Sequence, residues 1–169
     1  MNLRQNLPRA QSNCDQLWLA VLRRYLAYAG VGNLLWEIVH LPLYTIWTSG
    51  SVSERAFAAL HCAIGDILIA LATVMLALFV VGSSNWPAQG RGSVLVLTIL
   101  FGVGYTIFSE SLNIDVRAAW AYSDLMPVIP VVGVGLSPVL QWLVIPFAAY
   151  SLALRRRAPI TKRGAADNV

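Results

Sequence analysis

Charged residues are scarce in this chain. Only 12% of its 169 residues are charged and 57% are hydrophobic, whereas a soluble domain carries about 25% charged residues. The mean hydropathy of +0.64 agrees with this. These proportions exclude an ordinary water-soluble domain and a disordered chain, and a net charge of +4 is too small for a nucleic-acid-binding surface. The composition therefore predicts a membrane protein with one domain, residues 1–169.

Cysteine is also scarce, and the common catalytic motifs are absent from the sequence. The two cysteines, Cys14 and Cys62, are too few for a disulfide framework. The chain has no Gly-x-x-x-x-Gly-Lys phosphate loop, no Gly-x-Ser-x-Gly turn and no His-Glu-x-x-His helix. ATP-driven work, serine hydrolysis and the usual metalloprotease chemistry therefore lose support.

Long hydrophobic runs are what the sequence does have. They cover about residues 25–47, 57–81, 93–112 and 136–154, and each approaches the length of helix that crosses a hydrocarbon layer of roughly 30 Å. Lipid cannot satisfy free backbone groups, so we expect helices. The predicted fold is an all-α integral membrane four-helix bundle. The polar start before the first long run predicts that no signal peptide is removed.

Basic residues predict the orientation. Ten of the twelve Lys and Arg fall on one side of a four-span arrangement, and the other two are Arg55 and Arg117. By the positive-inside rule, both termini are expected in the cytoplasm of a bacterium, with the chain as a multi-pass protein of the inner membrane. An odd number of spans would separate the two basic ends. Residues 155–169 are predicted to form a solvated basic tail.

The segment between the third and fourth spans has an unusual composition. Residues 111–135 contain charged and aromatic side chains, followed by Pro127, Pro130, Gly133 and Gly135 in an apolar context. Backbone groups that prolines and glycines leave free must be buried in protein or line a cavity. We therefore predict a long structured or re-entrant loop that covers the polar residues of the spans.

A polar stripe runs along the first span. Asn33, Glu37, His40 and Tyr44 follow one another at spacings of 4, 3 and 4 and so share one helix face. An ionisable residue at the centre of a membrane helix costs about 2.5–3.5 kcal/mol and is a functional candidate by default. Pro42 is expected to bend the helix one turn beyond Glu37.

Polar residues of the next two spans reach the same depth. His61 and Asp66 lie near the start of the second span, and Glu110 ends the third. Antiparallel hairpins bring these positions together in the periplasmic leaflet. The predicted site consists of Glu37, His40, His61, Asp66 and Glu110. Supporting or substrate-contacting positions are Asn33, Tyr44, Asn113, Trp120 and Tyr122.

This residue set suits more than one chemistry. Two histidines with carboxylates are ligands for one divalent Zn, Fe or Mn ion, and Glu37 and His40 have the Glu-x-x-His spacing of bundle metal sites. An acid–base enzyme would use Glu37 as base, His40 as proton carrier and Glu110 as the balancing carboxylate, to isomerise or hydrate a double bond of a lipid-like substrate. Haem between His40 and His61 fits less well, because the chain has no Cys-x-x-Cys-His motif.

Other interpretations stay open. Taken alone, His61 fits an ordinary interfacial or hydrogen-bonded packing residue, and Asp66 fits a partner for Arg117 or His61. The chain can also be a non-catalytic metal-handling or accessory subunit, as an oligomer or in a larger membrane complex. The general plan, with Glu and His on the first and later helices of a small bundle, resembles that of the sterol-isomerase-like membrane proteins. The resemblance rests on this plan and on no diagnostic motif, so it assigns no role to any residue.

Overall fold

Helices dominate the structure. The computed structural model describes residues 7–83 and 85–155, with side chains from Leu17 onward. Helix makes up 77% of it, so the all-α prediction is confirmed. The five α-helices are α1 Leu7–His40, α2 Ile46–Ser49, α3 Val52–Val81, α4 Arg91–Ser111 and α5 Leu136–Leu154. Residues 1–6 and most of the predicted basic tail, residues 156–169, lie outside the described residues.

Three of the long helices are apolar enough and long enough to cross a membrane. They are α3, α4 with its continuation to Val116, and α5. Large apolar side chains on their outer faces are exposed, including Phe79 at 84% and Phe108 at 61%. A soluble protein does not expose apolar surface on this scale. The chain is therefore a membrane protein in its general class. The helix α1 is not among the three, and its described part carries the polar stripe.

The first long helix ends earlier than the predicted span. It stops at His40 and passes into a 3-10 turn, Leu41–Leu43, before the short helix α2. The expected bend at Pro42 is instead a termination. Proline disfavours the helical conformation of the residue before it and provides no N–H for the helix ladder. The chain thus leaves the helix directly after His40, and Tyr44 belongs to the connection.

The ends of α3 and α4 follow from local sequence. Ser51 and Glu54 form a capping box at the start of α3, and Gly82 ends that helix with a left-handed φ of 61°. The helix α4 continues into a π-helical turn, Leu112–Val116. Ala118 follows with a positive φ of 48°, which is rare for a residue with a side chain.

The four long helices pack as a closed ring. The helix α1 contacts α3 and α5, and α4 contacts the same two neighbours. At one end the interior is filled by an apolar core that includes Tyr25, Val74, Val94 and Tyr150. Gly102 lets α4 approach α5, because a Cβ at this position would lie 2.1 Å from the Trp142 ring. The other end of the ring holds the polar residues.

The loop before α5 is structured and covers the polar end. Its residues 121–123 pair with the connection after α1, through Thr45 N–H to Ala121 O at 3.0 Å and Ser123 N–H to Leu43 O at 2.9 Å. A two-stranded antiparallel hairpin follows, with β1 Val128–Ile129 and β2 Val134–Gly135. These backbone hydrogen bonds satisfy a Pro- and Gly-rich segment without a helix.

Candidate functional site

A cavity of about 1010 Å³ lies at the end of the ring where α1 stops and α3 begins. Apolar side chains such as Phe57, Ile69 and Trp142 form part of its wall. The ionisable and polar side chains that line it include Glu37, His40, Tyr44, His61, Asp66, Glu110 and Gln141. Small-molecule sites span roughly 300–1,000 Å³ and combine apolar walls with a few polar groups. The cavity has this character and is large enough for part of a lipid.

The first polar cluster is built on the last turn of α1. His40 Nε2 lies 3.0 Å from Glu37 Oε2, and both residues are buried. His40 Nδ1 lies 3.1 Å from the hydroxyl of Ser137, which also accepts a hydrogen bond from the Trp36 indole at 3.2 Å. Ser137 belongs to the first turn of α5 and does not line the cavity. The imidazole is therefore held on both sides and is placed to exchange a proton with Glu37.

Gln141 joins this cluster to α3. Its amide nitrogen is 2.9 Å from Asp66 Oδ2, 3.2 Å from Glu37 Oε1 and 3.1 Å from Asn33 Oδ1. An amide nitrogen carries two hydrogens, so it bonds only two of these three acceptors at a time. The two carboxyl groups thus meet at one neutral donor. Carboxyl groups of two different helices are thus in contact with one amide on the cavity wall.

A second polar cluster is centred on Glu110 near the end of α4. Its Oε2 accepts hydrogen bonds from the Tyr122 hydroxyl at 2.5 Å and the Tyr44 hydroxyl at 3.4 Å. The Tyr44 ring packs against His40, at 5.3 Å between ring centroids, and against Tyr122 at 5.5 Å. Tyr44 therefore connects the two clusters and ties the covering loop to α1 and α4.

Tyr122 is held as a hydrogen-bond donor. Burial raises the pKa of its phenol, and the hydrogen bond to Glu110 raises it further. The Tyr122 oxygen also accepts from Gly135 N–H at 2.8 Å. A Cβ at Gly135 would lie 2.8 Å from the Met126 sulfur and 3.1 Å from the Tyr122 ring. Glycine at this position therefore allows the hairpin to reach the phenol.

The structure brings most of the predicted site residues together, but three take different positions. His61 is exposed, stacks on Phe57 at 5.5 Å, and lines the cavity without a hydrogen bond to any described residue. The Asn113 amide donates to Ser109 O at 2.8 Å. The Trp120 indole N–H is buried and has no hydrogen-bond partner in the described part of the chain.

The described residues hold no ready-made metal centre. Within residues 7–83 and 85–155, no group of three or more His, Cys, Asp and Glu side chains is arranged to hold an ion. Both ring nitrogens of His40 already have partners, so a bound ion or haem would have to displace one of them. The ligand set proposed from the sequence stays a prediction.

Two residues of the site were missed by the sequence analysis. Ser137 and Gln141 both come from α5 and supply the hydrogen bonds that hold His40 and the carboxyl groups. Their spacing of four places them on one face of an apolar helix. This spacing was the available signal, and polar side chains on such a face often bond across helices.

No protein-family model, curated protein or solved structure matches the chain.

Proposed function

We propose that the chain is a four-span protein of a bacterial inner membrane, with both termini in the cytoplasm. The outer face of α1 supports a fourth span, because Val31, Leu35 and Val39 are 62%, 59% and 78% exposed and suit contact with acyl chains. The closed packing of α1 against α3 and α5 is the second argument. An even number of spans places both basic ends on one side, as the positive-inside rule requires.

The proposed function is acid–base catalysis on a lipid-like substrate bound in the cavity. The observation that carries this proposal is the buried Glu37–His40 pair, which meets Asp66 at the Gln141 amide on a cavity wall. Ionisable groups buried among membrane helices cost free energy, so such groups are usually kept for a function. The apolar side chains beside them suit a hydrocarbon substrate rather than a sugar or nucleotide.

Migration of a carbon–carbon double bond is the reaction that fits this site best, because it requires no cofactor or second substrate. The protonated member of the Glu37–Asp66 pair gives its proton to one carbon of the double bond. The other carboxylate then removes a proton from the carbon next to the positive centre, and the double bond moves by one position. The protein ends with as many protons as it began with. His40 is bonded to Glu37 and can take up or return the proton of this carboxyl group between turnovers. The negative charge of the remaining carboxylate stabilises the cationic intermediate.

Deuterium incorporation tests the proposal without knowledge of the substrate. The purified full chain in non-ionic micelles is incubated in D2O with a bacterial membrane lipid extract, and the lipids are analysed by mass spectrometry. Carbon-bound deuterium should appear in one lipid class with the wild type and be lost with Glu37→Gln. Glu54→Gln is the matched control, because it lies at the mouth of the same cavity and Gln can keep the capping box. Equal incorporation with wild type and Glu37→Gln, or none with either, overturns the proposal.

The same preparation separates the other interpretations. If the purified protein contains stoichiometric Zn, Fe or Mn and His40→Ala loses it, the site is a metal centre and the acid–base proposal is overturned. A larger membrane partner that co-purifies equally with wild type and Glu37→Gln, in protein without deuterium transfer, would favour the accessory-subunit interpretation. Metal-free protein that transfers deuterium supports the acid–base site.

A further inference from the structure

Arg117 is exposed, lines the cavity and forms no ion pair with any described side chain. It is the one Lys or Arg that lines the cavity within the described residues. Among the described side chains, one ion pair is present, and it joins Glu37 to His40 and does not involve Arg117. Asp115, on the same turn, does not line the cavity. The guanidinium is therefore free to bind an anion at this position.

The backbone that carries Arg117 is wound in an unusual way. The π-helical turn ends with Arg117 N–H bonded to Leu112 O at 2.9 Å, and Ala119 N–H then bonds Asn113 O at 2.8 Å. Between them Ala118 takes a positive φ of 48°. Isolated π turns and strained non-glycine residues concentrate at functional sites. This winding directs the chain from α4 to the cavity rim at Arg117.

The other donors of the cavity wall are already engaged. The buried Trp120 indole N–H lies close to the Glu110 carboxyl, although it forms no hydrogen bond of regular geometry in the described part of the chain. The Ser49 hydroxyl donates to a backbone carbonyl at 3.0 Å, and the Ser53 hydroxyl lies 3.0 Å from that of the neighbouring serine. The Glu54 carboxylate is engaged as well, because its Oε2 accepts two hydrogen bonds at 2.7 Å. Among the described residues that line the cavity, Arg117 therefore supplies the charged donor for an anion.

We propose that the mouth binds the phosphate headgroup of an amphiphile, with Arg117 as the charged contact. The apolar part of this molecule extends inward to Glu37 and Asp66. From Glu54 at the rim to Asp66, α3 rises by roughly 18 Å at 1.5 Å per residue. The headgroup and the reacting carbons are therefore far apart on one chain. This inference names the substrate class of the proposed active site and rests on it for the role of the cavity.

Binding of hexadecyl phosphate to the purified full chain in maltoside micelles tests the inference, measured by isothermal titration. Hexadecanol and inorganic phosphate are titrated in parallel. Hexadecyl phosphate should bind at least about tenfold more tightly than either, because the charged contact and the apolar cavity act together. Arg117→Gln should remove this tenfold advantage, and Arg117→Lys should retain part of it.

Arg55→Gln is the matched control, since Arg55 lies near the same end but packs over the Trp47 ring at 5.0 Å and does not line the cavity. It should leave binding unchanged. Thermal unfolding of Arg117→Gln should match the wild type, because the side chain is exposed. Equal affinity of hexadecyl phosphate for wild type and Arg117→Gln overturns the headgroup site. Tight binding of inorganic phosphate alone, removed by Arg117→Gln, overturns the lipid source and leaves a free-anion site.

The same titrations keep this inference distinct from the proposed function. If hexadecanol binds both wild type and Arg117→Gln as tightly as hexadecyl phosphate does, the cavity still accepts lipid-like molecules. The charged contact with Arg117 is then overturned. If neither amphiphile binds, the cavity is not a lipid site, and the headgroup inference falls with it.

Discussion

The two ends of the helix ring differ in how their buried polar groups are hydrogen-bonded. At the filled end, the Trp86 indole donates to the Tyr150 hydroxyl at 2.8 Å, and this hydroxyl donates to Arg91 O at 3.0 Å. This chain of hydrogen bonds ends on the backbone and lies within the apolar core. At the cavity end, three acceptors compete for the Gln141 amide, and ionisable side chains line open space.

The difference separates a structural polar contact from a functional one. Trp86 and Tyr150 gain stability by fixing the loop after α3 to the core, and neither is ionisable near neutral pH. Glu37 and Asp66 could be replaced by packed apolar residues with little loss of stability or with a gain, because buried charges are costly to desolvate. Their presence agrees with the acid–base function proposed for the cavity. Variants at the two ends should affect different properties of the protein.

The largest expected effect is on activity at the cavity end. Glu37→Gln should lower the rate of deuterium transfer by about 10²–10⁴-fold, the usual contribution of a general acid or base. Its midpoint of thermal unfolding should stay close to that of the wild type, since Gln retains the shape of the side chain and can bond to His40. An active Glu37→Gln protein would remove the distinction between the two ends.

The largest expected effect on stability belongs to the filled end. Trp86→Ala should lower the free energy of unfolding by about 3–5 kcal/mol, because Trp86 is a large buried side chain. Trp86→Phe keeps most of the volume and loses the hydrogen bond to Tyr150, so it should cost about 1 kcal/mol. Unfolding in SDS, followed by circular dichroism, measures both. The activity of each folded variant should be preserved, and a selective loss of activity would contradict this assignment.

A variant of Gln141 tests both properties at once, because this residue is buried and contacts both carboxyl groups of the site. Gln141→Leu removes the donor that Asn33, Glu37 and Asp66 share, and loss of one buried hydrogen-bond partner costs about 1–3 kcal/mol. We expect this loss of stability together with a displaced pH–rate profile, because the two carboxyl groups proposed to exchange protons lose the amide that holds them together. An unchanged pH–rate profile would show that Gln141 only supports packing.

The smallest expected effect concerns the covering loop. Tyr122→Phe removes a hydrogen bond to Glu110 and should cost about 1–2 kcal/mol. The pKa of Tyr122 is raised in the folded protein by burial, so its contribution is complete below the unfolded pKa of about 10 and is lost as the pH rises above that value. The stability difference between wild type and variant should therefore shrink in alkaline solution. A constant difference up to strongly alkaline pH would contradict this role.

Much of the fold and part of the site follow from periodicity. The apolar run from Leu136 to Leu154 is a helix with these same bounds, although Pro138 lies in its first turn and Pro146 in its interior. Length and hydropathy therefore sufficed to predict this helix. The prediction that the first span continues through Pro42 was wrong. Proline makes a helix less stable, and a longer helix makes additional hydrogen bonds, so the two effects compete. The balance depends on the loop whose backbone pairs with Leu43 and Thr45. The stripe of Asn33, Glu37 and His40 needed only helical spacing.

The sequence by itself determined that the chain is helical, apolar on its outer surface, and polar along one face of its first long helix, since these properties depend on composition and on the repeat of 3.6 residues per turn. Only the tertiary structure decided which partners complete the site. It placed Gln141 and Ser137 of α5 against this face, gave Glu110 to two tyrosines, and left His61 at the cavity rim. Such choices depend on the rotation and depth of each helix against its neighbours, and side-chain packing between helices sets both.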